Sequence, residues 1–320
     1  MSNRKVVLVG TGMVGMSFAY SLMQQDANIE ELVLIDINQE KAEGEAMDLS
    51  HGLPYINEKI DIYAGNYQDC ANADVIVVTA GAAQKPGQTR LELTAINTKI
   101  LKSIGEQIKA SGFNGVIICA SNPCDIMTYV LQKATGLPTS QVFGSGTMLD
   151  TARLRYIIAD YLEFNPSNVH AYILGEHGDS SFVPWTYAYI GSKPLIKYLE
   201  ETHKDLDNLL DIYESARDAA YVIIKKKKAT YYGIGIALAR LVKSVLNNDD
   251  SIIPVSAYQN GEYQQKGLYI GVPACVTRKG IQEIIHLELN EFDQMKFNNS
   301  CNNLRKIIDE IVDPILETKA

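Results

Sequence analysis

A glycine-rich turn near the start of the chain constrains the fold more than any other feature. Residues 10–15 read Gly-Thr-Gly-Met-Val-Gly, directly after the apolar run Val6–Val9 and before a helical pattern. A second apolar run, Leu32–Ile35, ends in Asp36. A strand, a glycine turn, a helix, a strand and an acid in this order predict a dinucleotide-binding unit. The alternative is an ordinary βαβ unit with incidental glycines.

Each glycine of this turn has a distinct expected role. Gly10 permits the tight turn, Gly12 lets the backbone approach a pyrophosphate, and Gly15 lets the helix and the strand pack closely. The N–H groups at the start of the helix then face the phosphates. Asp36 would accept hydrogen bonds from a ribose 2′-hydroxyl and would repel a 2′-phosphate, so we expect NAD rather than NADP.

Short apolar strands alternate with helical patterns through the first half of the chain. The candidate strands are Val6–Val9, Leu32–Ile35, Ile60–Tyr63, Val75–Thr79, Val116–Ala120 and Gln141–Phe143. Several are continuously apolar, which is typical of parallel strands covered on both faces. The fold class predicted is therefore α/β, with a doubly wound parallel Rossmann sheet that forms an NAD-binding domain over residues 1–144.

After Gly144 the pattern changes. The expected elements are helices at Met148–Leu162, Lys204–Lys228, Ile234–Leu246 and Cys301–Ile315, and strands at Val169–Leu174, Ile252–Tyr258 and Leu268–Val276, with a turn at Asn260–Gly261. We expect residues 145–320 to form a second α+β domain, a separate layer that binds substrate. No Pro/Ser-rich linker separates the halves, so the two domains should pack together.

Composition narrows the classes of partner. The net charge of −9 and the isoelectric point near 5.1 argue against nucleic acid and anionic membrane surfaces. An anionic substrate therefore needs locally placed arginines. The five cysteines form no C-x-x-C pair, and we expect reduced thiols in a cytoplasmic protein without a signal peptide or a bilayer-spanning stretch. The five histidines show no metal-ligand spacing, so we expect no metal.

One histidine is flanked by glycines, in Gly175-Glu-His-Gly-Asp179. A lone histidine is more often structural, but the glycines suit a loop with close backbone approach. A pKa near neutrality suits His177 to proton exchange with a hydroxyl or carbonyl oxygen. Neighbours on an extended chain point apart, so Asp150 is a better orienting acid than Asp179.

Asp150 and Arg153 are three residues apart and so share one helical face. They form either a local ion pair or a functional pair, in which Arg153 binds an anion and Asp150 contacts His177.

Two loops follow strands at the expected ligand-binding edge of the sheet. Residues 80–90, with two glycines and a proline, are either a mobile lid that carries Gln84 and Arg90 or a plain surface loop. Asn122 could hydrogen-bond the cofactor ribose or the substrate oxygen, or merely form a turn with Pro123.

These residues together resemble the L-lactate dehydrogenase family of the lactate/malate dehydrogenase superfamily, most closely its bacterial, allosterically regulated branch. The motifs that carry the resemblance are Gly10-Thr-Gly-Met-Val-Gly15, Gln84-Lys-Pro-Gly-Gln-Thr-Arg90, Ser121-Asn-Pro123, Leu149-Asp-Thr-Ala-Arg153, Gly175-Glu-His-Gly-Asp179 and Ala229-Thr-Tyr-Tyr-Gly233. It implies NAD-dependent interconversion of (S)-lactate and pyruvate, the fermentative step after glycolysis.

The resemblance also implies residue roles. His177 would exchange the proton with Asp150 as its partner, Arg153 would hold the substrate carboxylate, Arg90 would polarise the carbonyl, and Thr230 would line the pocket. Further positions that touch NAD in the family are Val14, Asp36, Lys41, Tyr67, Gly81, Ala82, Ser103 and Ser145. Where the family has glycine, this chain has Lys228, which would be strained if the position needs a positive φ.

Gln84 is expected to decide the substrate. The resemblance implies that the malate branch has an arginine at the corresponding position, which pairs with the second carboxylate of oxaloacetate. A neutral glutamine leaves that carboxylate unpaired. Two alternatives stay open, namely a dehydrogenase of bulkier 2-hydroxy acids and a catalytically silent NAD-binding protein.

The resemblance finally implies a homotetramer that is activated by fructose 1,6-bisphosphate. The effector would bind Arg155 and His170, doubled across a two-fold interface. Alternatively, both are surface or interface residues without a ligand.

Overall fold

The first half of the chain alternates strands with helices, as the apolar runs predict. The computed structural model describes residues 4–82, 87 and 89–318. The elements of the first half are β1 (Lys5–Val9), α1 (Met13–Met23), β2 (Glu31–Ile35), α2 (Gln39–His51), β3 (Asp61–Ala64), β4 (Val75–Val78), α3 (Arg90–Ala110), β5 (Val116–Cys119), α4 (Cys124–Thr135) and β6 (Val142–Gly144). Each strand lies within one residue of its predicted bounds.

These strands form a parallel sheet in the order β3-β2-β1-β4-β5-β6. Strands β1, β4 and β5 are buried along their whole length because helices cover both faces of the sheet. The chain order reverses between β1 and β4, which is where such sheets bind their ligands. The predicted doubly wound Rossmann sheet is thereby confirmed.

The second half supplies a mixture of helices and antiparallel strands. Its elements are α5 (Met148–Leu162), β7 (Val169–His170), β8 (Tyr189–Ile190), β9 (Lys193–Pro194), α6 (Leu195–Glu201), α7 (Asn208–Lys227), α8 (Tyr232–Asn247), β10 (Ser251–Asn260), β11 (Lys266–Thr277), β12 (Gly280–Ile284), α9 (Glu291–Ile307) and α10 (Asp313–Glu317). Strands β7 to β9 form a small antiparallel sheet, and α5, α6 and α7 enclose a second apolar core around Leu154, Leu199 and Ile212.

The second half is joined to the first more closely than the sequence suggests. Strand β10 pairs antiparallel with β6 through Ser256 and Gly144, and β11 and β12 extend the same sheet. Helix α8 packs on α1 so closely that a Cβ on Gly235 would lie 2.6 Å from the carbonyl carbon of Ser17. The predicted separate layer is therefore wrong for these elements, because pairing between distant strands leaves no local signal.

Three predicted boundaries also differ. The strand expected over Val169–Leu174 ends at His170, and the residues beyond it form isolated bridges instead. The helix expected over Lys204–Lys228 begins four residues later, at the first residue of α7. The last helix, expected over Cys301–Ile315, begins ten residues earlier, where the side chain of Asn290 caps α9 by accepting the backbone N–H of its third residue, Asp293.

Candidate active site

The turn after β1 and the loop after β4 meet where the sheet order reverses. Gly10 has φ +101°, and a Cβ there would lie 2.6 Å from the backbone nitrogen of Ala80. A Cβ on Gly15 would lie 2.1 Å from the carbonyl oxygen of Gly10. At Gly12, by contrast, no described residue other than its neighbours in the chain lies within 4 Å of the Cβ position. Two of the glycines therefore permit close packing, and the third leaves open space for a ligand.

The acid at the end of β2 is fixed by the same turn. Asp36 Oδ2 accepts the backbone N–H of Thr11 at 2.7 Å and its hydroxyl at 2.8 Å, and Oδ1 accepts the N–H of Asn38 at 3.0 Å. Partial burial opposes ionisation, but these bonds and the charge of Lys41 hold the pKa of Asp36 below its usual value. An ionised carboxylate beside an α1 N-terminus without a side-chain cap fits a ribose and a pyrophosphate, so the residues fit NAD.

The remaining predicted cofactor residues divide by position. Val14, Tyr67, Gly81, Ala82, Asn122 and Ser145 all follow the carboxyl ends of parallel strands, which lie on one edge of the sheet. Lys41 reaches that edge, because its Nζ donates to the carbonyl oxygen of Thr11. Ser103 is not brought there. It is exposed on α3, about 20 Å along the axis from the start of the helix.

One carboxylate holds both the glycine-flanked histidine and the predicted anion-binding arginine. His177 Nδ1 lies 2.6 Å from Asp150 Oδ2, and Arg153 Nη1 lies 2.9 Å from Asp150 Oδ1. The side chains of Asp150 and Arg153 are only 11% and 12% exposed. The local ion pair foreseen for α5 thus exists, and its carboxylate also contacts the histidine.

These contacts set the charge of the histidine. Attraction by Asp150 raises the pKa of His177 from 6.5 to about 9, although desolvation and the charge of Arg153 oppose the shift. Burial of Asp150 opposes its ionisation, but His177 and Arg153 hold its pKa below the usual value. At neutral pH the pair is therefore an imidazolium and a carboxylate, with Nδ1–H donating to Asp150. Among the described residues, Nε2–H has no hydrogen-bond partner, so it can donate to a ligand.

The loop that carries the histidine is fixed to the second half of the molecule. Gly175 exchanges backbone hydrogen bonds of 3.0 and 2.9 Å with Gly271 of β11. Ser300 of α9 accepts the backbone N–H of Glu176 at 2.6 Å. Gly175 has φ +97°, and a Cβ there would lie 2.9 Å from the hydroxyl of Ser300. The position of His177 therefore depends on two elements far away in the sequence.

Sequence reasoning missed two buried polar residues of this region. Asp125, in the first turn of α4, accepts the backbone N–H of His177 at 2.8 Å. Asn97 of α3 accepts the backbone N–H of Ala82 at 2.8 Å and donates to the carbonyl oxygen of Asn122 at 2.9 Å. Asp125 has one sequence signal, because it follows the end of β5 on the ligand-binding edge. Asn97 has none, since it sits within an ordinary helical pattern.

The opposite side of the site is exposed. Arg90 begins α3, and its Nη1 lies 3.2 Å from Asp179 Oδ2, with the two side chains 60% and 62% exposed. Asp179 also accepts the hydroxyl of Tyr221. The sequence places Arg90 on a substrate-binding lid, whereas here it pairs with the end of the histidine loop. Gln84 lies outside the described residues, together with residues 83, 85, 86 and 88 of the predicted lid.

Thr230 is half-buried in the connection between α7 and α8. Two residues earlier, Lys228 ends α7 with φ +73° and ψ −22°, in the left-handed region. This is the position usually taken by glycine at a helix C-terminus. The position does need a positive φ, so the backbone of Lys228 is strained, as expected from the sequence for that case.

The ranges that the structure describes contain neither a candidate metal site nor a candidate membrane-spanning helix. No group of three or more His, Cys, Asp or Glu side chains there could hold a metal ion. Nor is any helix in those ranges long and apolar enough to cross a bilayer.

Comparison with known proteins covers nearly the whole chain. Residues 4–144 match the family model of the lactate/malate dehydrogenase NAD binding domain, and residues 147–314 match that of the lactate/malate dehydrogenase alpha/beta C-terminal domain. L-lactate dehydrogenase 2 of Bacillus cereus is 51% identical over 313 residues, which cover 98% of each chain. L-lactate dehydrogenase of Lactococcus lactis is 48% identical over 312 residues, covering 97% of this chain and 99% of the relative.

A solved structure agrees with these sequence matches. The crystal structure of a lactate dehydrogenase from a deep-sea metagenome library superposes with a TM-score of 0.95 at 50% identity, covering 97% of this chain and 99% of that one. The glycine turn with its acid, and the carboxylate that holds a histidine and an arginine, are thus found in a chain that belongs to the lactate/malate dehydrogenase family, among its L-lactate dehydrogenases.

Proposed function

We propose that this chain is an NAD-dependent L-lactate dehydrogenase that interconverts (S)-lactate and pyruvate. The observation that carries the proposal is the Asp150 carboxylate, which holds a proton carrier, His177, at 2.6 Å and a guanidinium, Arg153, at 2.9 Å. A 2-oxo acid needs both groups, because its carboxylate must be held while its carbonyl oxygen gains a proton.

Arg153 binds the substrate carboxylate. Only Nη1 of its guanidinium is engaged by Asp150, and the planar group has five N–H donors, so the others can form a bidentate pair. The net charge of −9 gives an anion no general attraction to the protein. The almost buried guanidinium therefore fixes both the binding and the orientation of the substrate.

His177 carries the proton. In the direction of reduction it donates Nε2–H to the carbonyl oxygen, and in the direction of oxidation the neutral ring accepts the hydroxyl proton. Asp150 stabilises the imidazolium, since its charge raises the pKa of His177. NADH, held by the glycine turn and Asp36, would supply the hydride that C2 of pyruvate needs.

Arg90 completes the site from the exposed side. It leaves Asp179 when substrate binds and places its guanidinium against the carbonyl oxygen, where negative charge develops. The lid closes with it and excludes water. Asn122 and Thr230 line the pocket, and the carbonyl of Asn122 is held by Asn97 at the base of the lid.

Substrate choice rests on Gln84. A neutral side chain there accommodates the methyl group of pyruvate and leaves the second carboxylate of oxaloacetate unpaired. The test is NADH oxidation with pyruvate, oxaloacetate and bulkier 2-oxo acids. We expect the highest kcat/KM with pyruvate. A bulkier preferred acid would indicate the roomier 2-hydroxy-acid dehydrogenase, and NADH binding without turnover would indicate a silent protein.

The division of labour follows the two halves. Residues 1–144 bind NAD, and residues 145–320 supply His177, Asp150, Arg153 and Thr230. The separate family matches over 4–144 and 147–314 support this division. The five cysteines are free and buried, in line with a reducing, cytoplasmic setting for the fermentative step after glycolysis.

Assembly is proposed to be a homotetramer. Large apolar side chains are exposed on α1, α2 and α8, and exposed apolar surface of this kind often marks a contact with another protein chain. They are Met13, Tyr20, Met47, Tyr232 and Ile236. Sedimentation velocity tests the oligomeric state.

Fructose 1,6-bisphosphate is the proposed effector, bound by Arg155 and His170. His170 is exposed on β7, and the charge of Arg155 acts on Tyr172, two residues further along. Both elements lead to the site, because α5 carries Asp150 and the chain after β7 reaches His177. Two chains related by a two-fold axis would together supply two arginines and two histidines, which are enough to hold both phosphates of one effector molecule.

Pyruvate saturation curves with and without the bisphosphate test this regulation. We expect the apparent affinity for pyruvate to rise with the effector in the wild type and not in Arg155→Gln. Identical wild-type curves would contradict the switch, and activation that survives in Arg155→Gln would place the effector elsewhere.

A further inference from the structure

A second carboxylate contacts the histidine, at its backbone rather than at the ring that Asp150 holds. Asp125 is 3% exposed and lies in the first turn of α4, in the first half of the chain. Its Oδ2 accepts the backbone N–H of His177 at 2.8 Å, and its Oδ1 accepts the hydroxyl of Ser256 from β10. Three segments that are distant in sequence therefore meet at one buried group.

Asp125 has no charged hydrogen-bond donor in these two contacts. Burial raises its pKa to about 6, while the bonds from Ser256 and from the N–H of His177 oppose that rise. Its favourable Coulombic interaction is with the charge of His177, and Glu176 acts against ionisation. A buried carboxylate is costly, whereas a neutral acceptor would serve the N–H equally well. The charge therefore calls for an explanation besides the hydrogen bond.

The charges around the imidazole come from three elements. Asp150 and Arg153 act from α5, Asp125 acts from α4, and Glu176 acts from the histidine loop itself. Asp150 is the largest influence and favours the imidazolium, Asp125 favours it as well, and Arg153 opposes it. At the exposed end of the loop, Asp179 and Arg90 form an ion pair and neutralise each other.

We propose that Asp125 is a positioning residue of the reaction, which fixes the backbone at His177 and whose negative charge stabilises the protonated imidazole. The proposal rests on the role given above to His177. Asp125 thus has two effects on His177: it fixes the backbone that carries the ring, and it increases the proton affinity of the ring. Asp125 itself lies in the first half of the chain, which binds NAD in the proposed function. A purely structural acceptor would provide the first effect without the second.

The decisive variant is Asp125→Asn, because its amide keeps an oxygen for the N–H of His177 and can donate to Ser256. We expect it to bind NADH like the wild type. In pyruvate reduction, the alkaline limb of kcat/KM should move to lower pH by roughly half a unit to one unit, since the effect of an adjacent opposite charge is 1–3 units. The acidic limb of kcat/KM for lactate oxidation should also move to lower pH, because the neutral ring that accepts the proton then forms at lower pH.

Ser256→Ala is the matched control. It removes a hydrogen bond from Asp125 but leaves the carboxylate, which stays ionised in the pH range of the alkaline limb. That limb should therefore not move. An unmoved limb in Asp125→Asn, or an equal shift in both variants, would overturn the proposal, because the effect would then be structural.

A measurement on the wild type covers the case in which Asp125→Asn does not fold. The imidazole of His177 can be followed by NMR with isotope-labelled histidine and assigned by the signal missing from His177→Gln. Besides its own titration, it should show a second, smaller inflection at acidic pH, where Asp125 gains its proton. Absence of that inflection would contradict the proposal. His177→Gln with near-normal turnover would refute the role of His177 itself, and so the two failures are distinguishable.

Discussion

The two sides of the active site are built in different ways. On one side, His177 is held at the ring by Asp150 and at the backbone by Asp125, with little exposure of either carboxylate. On the other side, Arg90 makes one ion pair of 3.2 Å with Asp179, and both side chains are more than half exposed.

This difference indicates a division between a preorganised group and a recruited one. A buried carboxylate that orients a proton carrier contributes because it needs no rearrangement during the reaction. An exposed ion pair contributes little to stability and is readily exchanged for a substrate contact. In the proposed mechanism, the proton donor is therefore fixed before substrate binds, whereas the arginine that would polarise the carbonyl is recruited from an exposed ion pair.

Removal of the fixed proton carrier should have the largest effect. In His177→Ala, we expect turnover to fall by roughly 10²–10⁴-fold, the usual contribution of general acid–base catalysis. NADH binding should persist, because the glycine turn and Asp36 are untouched. Stopped-flow turnover and NADH fluorescence titration measure the two quantities. Near-normal turnover in a folded variant would refute the assignment.

The two carboxylates beside the site allow a matched comparison. Asp150→Asn should lower kcat/KM for pyruvate by about 10²-fold, because the imidazolium loses its main stabilising charge and Arg153 loses its partner. Asp179→Asn should change it by less than about fivefold, since it breaks an exposed pair. Steady-state kinetics at one pH decide between them. Similar losses in both variants would contradict the division between fixed and recruited sides.

Gln84→Arg sharpens the account of the lid. We expect the ratio of kcat/KM for oxaloacetate to that for pyruvate to rise by roughly 10- to 100-fold, in keeping with a hydrogen bond to a charged group. The added guanidinium pairs with the second carboxylate of oxaloacetate and stays unpaired with pyruvate. An unchanged ratio would mean that residue 84 does not face the substrate.

The smallest effect is expected at the end of α7. Lys228 occupies the left-handed region at φ +73°, where a side chain costs about 1 kcal/mol relative to glycine. Lys228→Gly should therefore raise the free energy of unfolding by about that amount, measured by denaturant titration. Lys227→Gly, within the same helix, is the control and should lower it. A destabilised Lys228→Gly would show that the lysine side chain outweighs the backbone strain.

Local patterns explain why so much of the first half could be predicted. The six parallel strands are short and regularly spaced, and the central ones are buried on both faces, so they appear in the sequence as continuous apolar runs. In the second half, the strand predicted to Leu174 stops at His170, because the following residues pair singly with Phe182 and Gly271. The union of β10 with β6 depends on one long-range pairing that no window of the sequence contains.

The same distinction applies to the site. Asp150 and Arg153 could be predicted together because a helix places residues three apart on one face. Asp125 and Asn97 could not, because their partners lie 52 residues away at His177 and 25 residues away at Asn122. Sequence motifs thus predict the groups that would touch a ligand more readily than the buried groups that hold them in place.

The pH dependence of the wild-type enzyme in both directions tests the central claim most directly. The pKa of His177 is raised, so the proton donor is present below it and is lost as the pH rises through it. The account predicts that kcat/KM for pyruvate reduction is constant at neutral pH and falls on the alkaline side, towards pH 9, whereas lactate oxidation rises over the same range. Equal pH dependence in both directions, or no ionisation in this range, would contradict it.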